Sequence, residues 1–123
     1  MRDSAMNVAN ATRGVSLVSG GWAADTFWTR FRGLIGSKPL GEGDGLLIKP
    51  CKSIHTHFMS FPIDVLYVNE DQVVVGVDHA MPPWRFGRAY RGARFVIELP
   101  PGTAAGTGTQ MGDQLRVEGY DPS

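Results

Sequence analysis

Hydrophobic and polar positions alternate with a period of two along much of the chain, which is the pattern of β-strands. Seven short runs predict strands: VSLV (15–18), LLI (46–48), IHTHFM (54–59), IDVLYV (63–68), QVVVGV (72–77), ARFVIEL (93–99) and DQLRVEG (113–119). IDVLYV is apolar on both faces, which predicts a central strand that is covered on both sides. The residues Asn69, Glu70 and Asp71 predict the hairpin turn that follows it.

One segment has the period of a helix. In WAADTFWTRFRGLIG, apolar side chains recur at helical spacing at Phe27, Trp28, Phe31, Leu34 and Ile35. This pattern predicts one helix whose aromatic face closes one side of the core. The small-residue segment PPGTAAGTGTQMG is interpreted as a connection between the last two strands. The predicted fold is mostly β: a β-sandwich or a partly open barrel, with one helix packed against it.

The length of 123 residues suits one compact domain. We expect a disordered tail at residues 1–12, a single β-rich domain at 13–119 and a short tail at 120–123. A hydrophobic content of 42% and a charged content of 20% are typical of a globular protein. Twelve basic and twelve acidic residues cancel, which disfavours nucleic acid as a mainly electrostatic partner.

A single cysteine cannot form an internal disulfide, so nothing in the composition requires an oxidising compartment. No apolar run approaches the roughly 20 residues that cross a bilayer, which predicts no association with a membrane. The segment MRDSAMNVANATRG at the start lacks the apolar stretch of a secretory signal. These observations predict a cytoplasmic protein.

Chemistry is concentrated in the segment CKSIHTHFMSFPIDV, which holds the candidate ligand or pocket residues Cys51, His55, His57, Met59 and Asp64. The cysteine and the two histidines are ligands that suit zinc or copper, and the histidines would share one strand face. The cysteine, one histidine and the aspartate also have the components of a thiol or acid–base centre. Neither a cysteine pair nor a nucleophile elbow accompanies them, so no metal, cofactor or catalytic residue is assigned.

A structural interpretation accounts for the same residues. Cys51 and Met59 would fill core space, and His55 would hydrogen-bond to backbone. Asp64 would pin a turn or accept backbone N–H groups. Three polar side chains would then crowd one apolar hairpin, and buried polar groups cost about 1–3 kcal/mol each when they have no partner. A shared hydrogen-bond network or a pocket for a ligand explains this crowding better than three separate structural roles.

A second candidate is the arginine-rich segment PPWRFGRAYRGARF. Its candidate anion-binding residues are Arg85, Arg88 and Arg91, and aromatic side chains are interleaved with them. Arginine with aromatics is suited to single-stranded nucleic acid or to an anionic ligand. Because the chain has no net charge, the pattern favours a compact anionic group or an acidic patch on a partner protein. The alternative is a long loop whose arginines are solvated and whose aromatics pack on the sheet.

Four separated motifs resemble one family: RGLIGSKPLGEGDGLLI (32–48), CKSIHTHFMSFPIDVLYV (51–68), VIELPPGTA (96–104) and GDQLRV (112–117). Their order and spacing are similar to those of the bacterial and archaeal family known as domain of unknown function 192. Five residues match its pattern: Cys51, His55, Met59, Pro62 and Asp64. His57 departs from it, because an aromatic residue is usual there. The resemblance implies a small, mostly-β domain and carries no established enzymatic activity.

Together these observations predict a non-enzymatic domain that binds a small anionic ligand or a protein partner. Two alternatives stay open. One is a metal-binding protein, and the other is a thiol or acid–base enzyme that uses Cys51, His55 and Asp64.

Overall fold

The computed structural model describes residues 6–26, 39–50, 60–87 and 89–123. Strands form where β-branched and aromatic residues recur, because such side chains pack well on a pleated surface. The elements within the described residues are β1 (Met6–Asn10), β2 (Val15–Ala24), β3 (Leu46–Ile48), β4 (Ile63–Val68), β5 (Val74–Met81), β6 (Phe95–Leu99), α1 (Thr103–Thr107) and β7 (Leu115–Glu118).

The strands form one curled sheet in the order β5-β4-β6-β3-β2-β1-β7. Neighbouring strands are antiparallel except β2 and β3, which are parallel. The two edge strands meet at one end, where Val73 and Gln114 form an isolated bridge and the amide of Val74 donates to the carbonyl of Asp113 at 2.9 Å. The sheet is therefore a half-barrel. The mostly-β prediction is confirmed, and of its two forms the partly open barrel is the one observed.

Two apolar clusters cover the opposite faces of the central strands. The interior cluster has members from each of β1 to β7 and includes Leu47, Leu66 and Ile97. The outer cluster lies on the other face and includes Leu46 and Val65. All residues of β4 and β6 are buried, because alternate side chains enter one cluster and then the other. The prediction that IDVLYV forms a doubly covered central strand is confirmed.

The predicted disordered tail at residues 1–12 is wrong from Met6 onward. Met6 and Val8 are buried in the interior cluster, and β1 pairs with both β2 and β7. Asn10 is also buried, and its amide donates to the carboxylate of Asp113 at 2.9 Å. The segment looked like a tail because its residues are small and polar. Its stability comes from pairing with the neighbouring β2 and also with β7, which lies about a hundred residues away along the chain.

The hairpin after β4 forms as predicted, although β5 begins later than expected. The side-chain oxygen of Asn69 accepts the backbone N–H groups of Asp71 and Val73 at 3.0 and 2.9 Å. Gln72 has a φ of 62°, so it belongs to the turn and the regular strand starts at Val74. An asparagine that accepts hydrogen bonds from the following backbone is a common way to make such a turn.

The short helix α1 lies inside the segment that was interpreted as a connection. It follows Gly102 and ends at Gly108, whose φ values of 90° and 69° suit glycine. The helix predicted at 27–35 and the strand predicted at 54–59 lie outside the described residues. Tyr120, placed in the C-terminal tail by the sequence, packs against the interior cluster. The folded domain therefore extends beyond the boundary predicted at residue 119.

Candidate functional site

The segment singled out by the sequence is only partly within the described residues. Cys51, His55, His57 and Met59 lie outside them, as does Arg88. Their predicted roles stay predictions. The structure places the other three candidates, Asp64, Arg85 and Arg91, at separate positions in the fold.

Asp64 is a buried structural acceptor. It lies on β4, opposite Leu99 of β6, and its side chain is fully buried. One carboxylate oxygen accepts the backbone N–H of Ala80 at 2.7 Å, and the other accepts that of Ala104 at 2.8 Å. The carboxylate therefore joins the end of β5 to the first turn of α1. This is the role in which Asp64 accepts backbone N–H groups, one of the alternatives drawn from the sequence.

An open groove of about 650 Å³ runs beside β5. We call it the β5 groove and define it by Asp78, His79 and Met81 on the strand and Arg85, Phe86 and Tyr90 after it. Consecutive side chains of a strand point to opposite faces. Because neighbouring residues of β5 line the same groove, it follows the edge of the strand rather than one face of the sheet.

Two tyrosines hold Asp78 at the wall of this groove. The hydroxyl of Tyr67 donates to one carboxylate oxygen at 2.7 Å, and the hydroxyl of Tyr90 donates to the other at 3.0 Å. The two rings pack with centroids 4.3 Å apart at an angle of 41°. A Cβ at position 76 would clash with the ring of Tyr90, so Gly76 leaves the space in which this ring sits. The contacts fix the later part of the arginine-rich segment on the sheet.

The arginines of that segment differ in position. Arg85 is exposed and lines the β5 groove, whereas Arg91 is exposed and is not among the lining residues. Trp84 and Phe86 flank Arg85 with relative exposures of 57% and 81%. Arg85 is therefore the member of the predicted anion-binding set that the described part of the structure places at a cavity.

Glu98 is a buried acid that the sequence analysis did not select. It lies on β6 between Leu46 of β3 and Val65 of β4, on the face of the outer cluster. Its relative exposure is 3%, and its Oε1 atom has no hydrogen-bond partner in the described part of the structure. Burial raises the pKa of Glu98 from its ordinary value of 4.5 to about 8. The carboxyl is therefore mostly protonated at neutral pH.

A signal for Glu98 was present in the sequence, since it is the only acid in the predicted strand ARFVIEL. In the register of the sheet, Val65 lies between Glu98 on one side and Asp78 on the other. Two strand spacings of about 4.8 Å place their backbones about 10 Å apart. The carboxyls share one face of the sheet but differ in environment, because Asp78 is held by two hydroxyls.

Two further properties concern the described residues alone. No three of their His, Cys, Asp or Glu side chains lie close enough together to hold one metal ion. No helix among them is long and apolar enough to cross a membrane.

The fold and its groove define a small half-barrel β domain, and comparison with known proteins identifies its family. The family model of domain of unknown function 192, described as an uncharacterized ACR, COG1430, matches residues 10–117. The chain belongs to this family, as the sequence motifs predicted. The family description states no activity.

Curated relatives come from archaea. A UPF0127 protein of Thermococcus sibiricus is 36% identical over 100 residues, which cover 77% of this chain and 64% of the relative. The UPF0127 protein of Pyrococcus furiosus is 32% identical over 111 residues, which cover 86% of this chain and 93% of that protein. This chain therefore spans less than two thirds of the first relative and nearly all of the second.

Two crystal structures have a similar fold. One is a protein of unknown function from Novosphingobium aromaticivorans, with a TM-score of 0.78 and 23% identity over 90% of this chain and 82% of that chain. The other is described as a putative transcription regulator from Sinorhizobium meliloti, with a TM-score of 0.76 and 19% identity over 94% of this chain and 93% of that chain. At these identities the likeness concerns the fold alone.

Proposed function

We propose that this domain is a non-enzymatic binding module whose β5 groove takes a compact anionic ligand, with Arg85 as the cation that receives it. The groove is the observation that carries the proposal. Its volume of about 650 Å³ falls in the range of roughly 300–1,000 Å³ that is usual for small-molecule sites. A guanidinium group also recognises carboxylate or phosphate with two parallel hydrogen bonds.

The surroundings of Arg85 support a site with a defined shape. Tyr90 is anchored to Asp78, and Pro82 and Pro83 restrict the backbone just before the arginine. Phe86 supplies an exposed aromatic surface next to it. An anchored loop loses less conformational entropy when a ligand binds, which favours affinity.

The charge of the chain favours a small ligand over a long polyanion. The chain has no net charge, so the attraction of one arginine is local and is screened beyond about 8 Å at physiological salt. An acidic patch on a protein partner would meet the same guanidinium. The zero net charge also disfavours nucleic acid as a partner. A cytoplasmic location stays a prediction.

An NMR titration tests the proposal, because it detects millimolar affinity. Wild-type protein is titrated with acetate, succinate and inorganic phosphate while the backbone amide signals of His79, Arg85 and Tyr90 are followed. We expect Arg85→Gln to weaken binding by about tenfold, because a charge-assisted hydrogen bond is lost. Arg116→Gln is the matched control, since Arg116 is exposed on β7 and does not line the groove.

Salt gives a second test of the same proposal. Binding through an exposed guanidinium should weaken as sodium chloride rises from about 50 to 500 mM, because ions screen the attraction. Equal affinity of the wild type and Arg85→Gln for all three anions would contradict the proposal. So would the absence of any shift at the groove.

The alternative of a thiol or acid–base enzyme has one observation in its favour. Glu98 is buried with a pKa of about 8, and perturbed carboxyls of this kind occur at catalytic sites. Against it, both oxygens of Asp64 already accept backbone N–H groups. The binding module therefore remains the better-supported proposal.

A further inference from the structure

We infer that the ligand of the β5 groove is a zwitterion with an α-ammonium and a carboxylate, as in an amino acid or a short peptide. The inference rests on the proposed function, in which Arg85 receives the carboxylate. It adds Asp78 as the acceptor of the ammonium group.

Asp78 has acceptor capacity left after its contacts with protein. An ionised carboxylate offers about four lone-pair positions, and the hydroxyls of Tyr67 and Tyr90 occupy one on each oxygen. The side chain is partly exposed and lines the groove. Each oxygen can therefore accept a further N–H group from a ligand, and the two tyrosines keep both oxygens in place before it arrives.

Among the residues that the structure describes, no cation pairs with the carboxylate of Asp78. Tyrosine hydroxyls are neutral donors, and no lysine, arginine or histidine among the described residues lies within 4.0 Å of its carboxylate oxygens. A ligand that carried only negative charge would approach this carboxylate at a cost. A ligand with an ammonium group avoids that cost and gains a charge-assisted hydrogen bond.

The groove is therefore dipolar, with a carboxylate on the strand and a guanidinium on the loop. Its other walls include the apolar side chains of Met81 and Phe86. They suit an apolar or aromatic side chain on the ligand. Both a free amino acid and a short peptide have the required charges, which are farther apart in the peptide.

The same hydrogen bonds would exist if Asp78 only anchored Tyr90. The two roles predict different binding data. If Asp78 only holds Tyr90, removal of the ammonium group from a ligand does not change the affinity, whereas it weakens binding if Asp78 accepts that group. Chemical changes to the ligand separate them without any change to the protein.

The experiment uses the wild-type full chain and isothermal titration calorimetry. The probes are L-phenylalanine, N-acetyl-L-phenylalanine, which lacks the ammonium, L-phenylalaninamide, which lacks the carboxylate, and the dipeptide L-leucyl-L-phenylalanine. We expect L-phenylalanine to bind, and each modification to weaken its binding by about tenfold or more. Tighter binding of the free amino acid or of the dipeptide identifies the source of the zwitterion.

The outcomes separate this inference from the proposal on which it rests. If N-acetyl-L-phenylalanine binds as well as L-phenylalanine, the ammonium is not recognised and the inference is wrong, while the anion site stands. If L-phenylalaninamide binds as well as L-phenylalanine, the carboxylate is not recognised and both fail. If neither the amino acid nor the dipeptide binds although acetate or phosphate does, only the zwitterion is excluded.

A pair of variants provides an independent check. Asp78→Asn should reduce the affinity for L-phenylalanine by about tenfold and leave that for its N-acetyl derivative nearly unchanged. Asp71→Asn, in the exposed turn before β5, is the control and should change neither. Equal losses for both ligands in Asp78→Asn would indicate displacement of Tyr90 and would contradict the inference.

Discussion

The buried carboxyl of Glu98 should make the stability of this domain depend on pH. Its pKa is about 8 in the folded state and about 4.5 when the side chain meets water. At a pH between these two pKa values, the carboxyl of Glu98 is protonated in the folded chain and ionised in the unfolded chain. The free energy of unfolding therefore falls as pH rises, by about 1.4 kcal/mol per pH unit. The contribution of the protonated Glu98 carboxyl to the free energy of unfolding is fully present below pH 4.5 and is lost as pH rises through 8.

The replacement Glu98→Gln tests this reasoning, because glutamine has nearly the shape of the protonated acid and does not titrate. Between pH 4.5 and pH 7, the buried carboxyl of Glu98 lowers the free energy of unfolding by an amount that grows to about 3 kcal/mol. We expect the variant to be more stable than the wild type at pH 7 by up to that amount, and by much less at pH 5. Urea denaturation followed by tryptophan fluorescence at pH 5, 6, 7 and 8 measures the difference.

The control is Glu118→Gln, which removes an exposed glutamate on β7 and leaves Glu98 in place. Other groups also contribute to the pH dependence of the wild type. The difference between wild type and Glu98→Gln removes their contribution, because both chains share them. If this difference is the same at pH 5 and pH 8, Glu98 does not hold its proton in the folded state and the reasoning is refuted.

Three further predictions concern other parts of the fold. Asp64→Ala should lower the free energy of unfolding by about 1–3 kcal/mol, because two N–H groups lose their acceptor, and an unchanged urea midpoint would contradict this. Gly76→Ala should displace the ring of Tyr90 at a cost of about 1–3 kcal/mol and weaken ligand binding at the β5 groove. Tyrosine fluorescence would detect the displaced ring, and calorimetry would detect the weaker binding. Wild-type values in both measurements would show that the ring of Tyr90 does not pack against Gly76. Purified protein should carry no stoichiometric zinc, and a chelator should leave its melting temperature unchanged. One equivalent of zinc that survives gel filtration would instead support a metal site in residues 51–59.

Much of the strand arrangement could be predicted because its signals are local. The apolar run of β4 and the asparagine turn after it are each set by a few consecutive residues. A doubly buried strand must be apolar on both faces, and a side-chain oxygen at the start of a turn stabilises it directly. Such features can be read from the chain without knowledge of its neighbours.

The candidate site was predicted less completely because its chemistry depends on which strands become neighbours. Glu98 was visible as an acid in an apolar run, but its burial follows from the positions of Leu46 and Val65 on two other strands. Asp64 looked equally suited to a ligand site and to a structural role. The backbone N–H groups of Ala80 and Ala104, 16 and 40 residues away, decided between them.

The sequence by itself determined the class of fold, the family and the turn chemistry, since periodicity and motifs act over short stretches of chain. The tertiary structure alone decided that β1 belongs to the sheet, because Asn10 reaches Asp113 across 103 residues. It also decided that Asp78 and Arg85 line one groove and that Glu98 lies in an apolar environment. Burial and acceptor capacity are properties of groups brought together by folding, and no local pattern of residues specifies them.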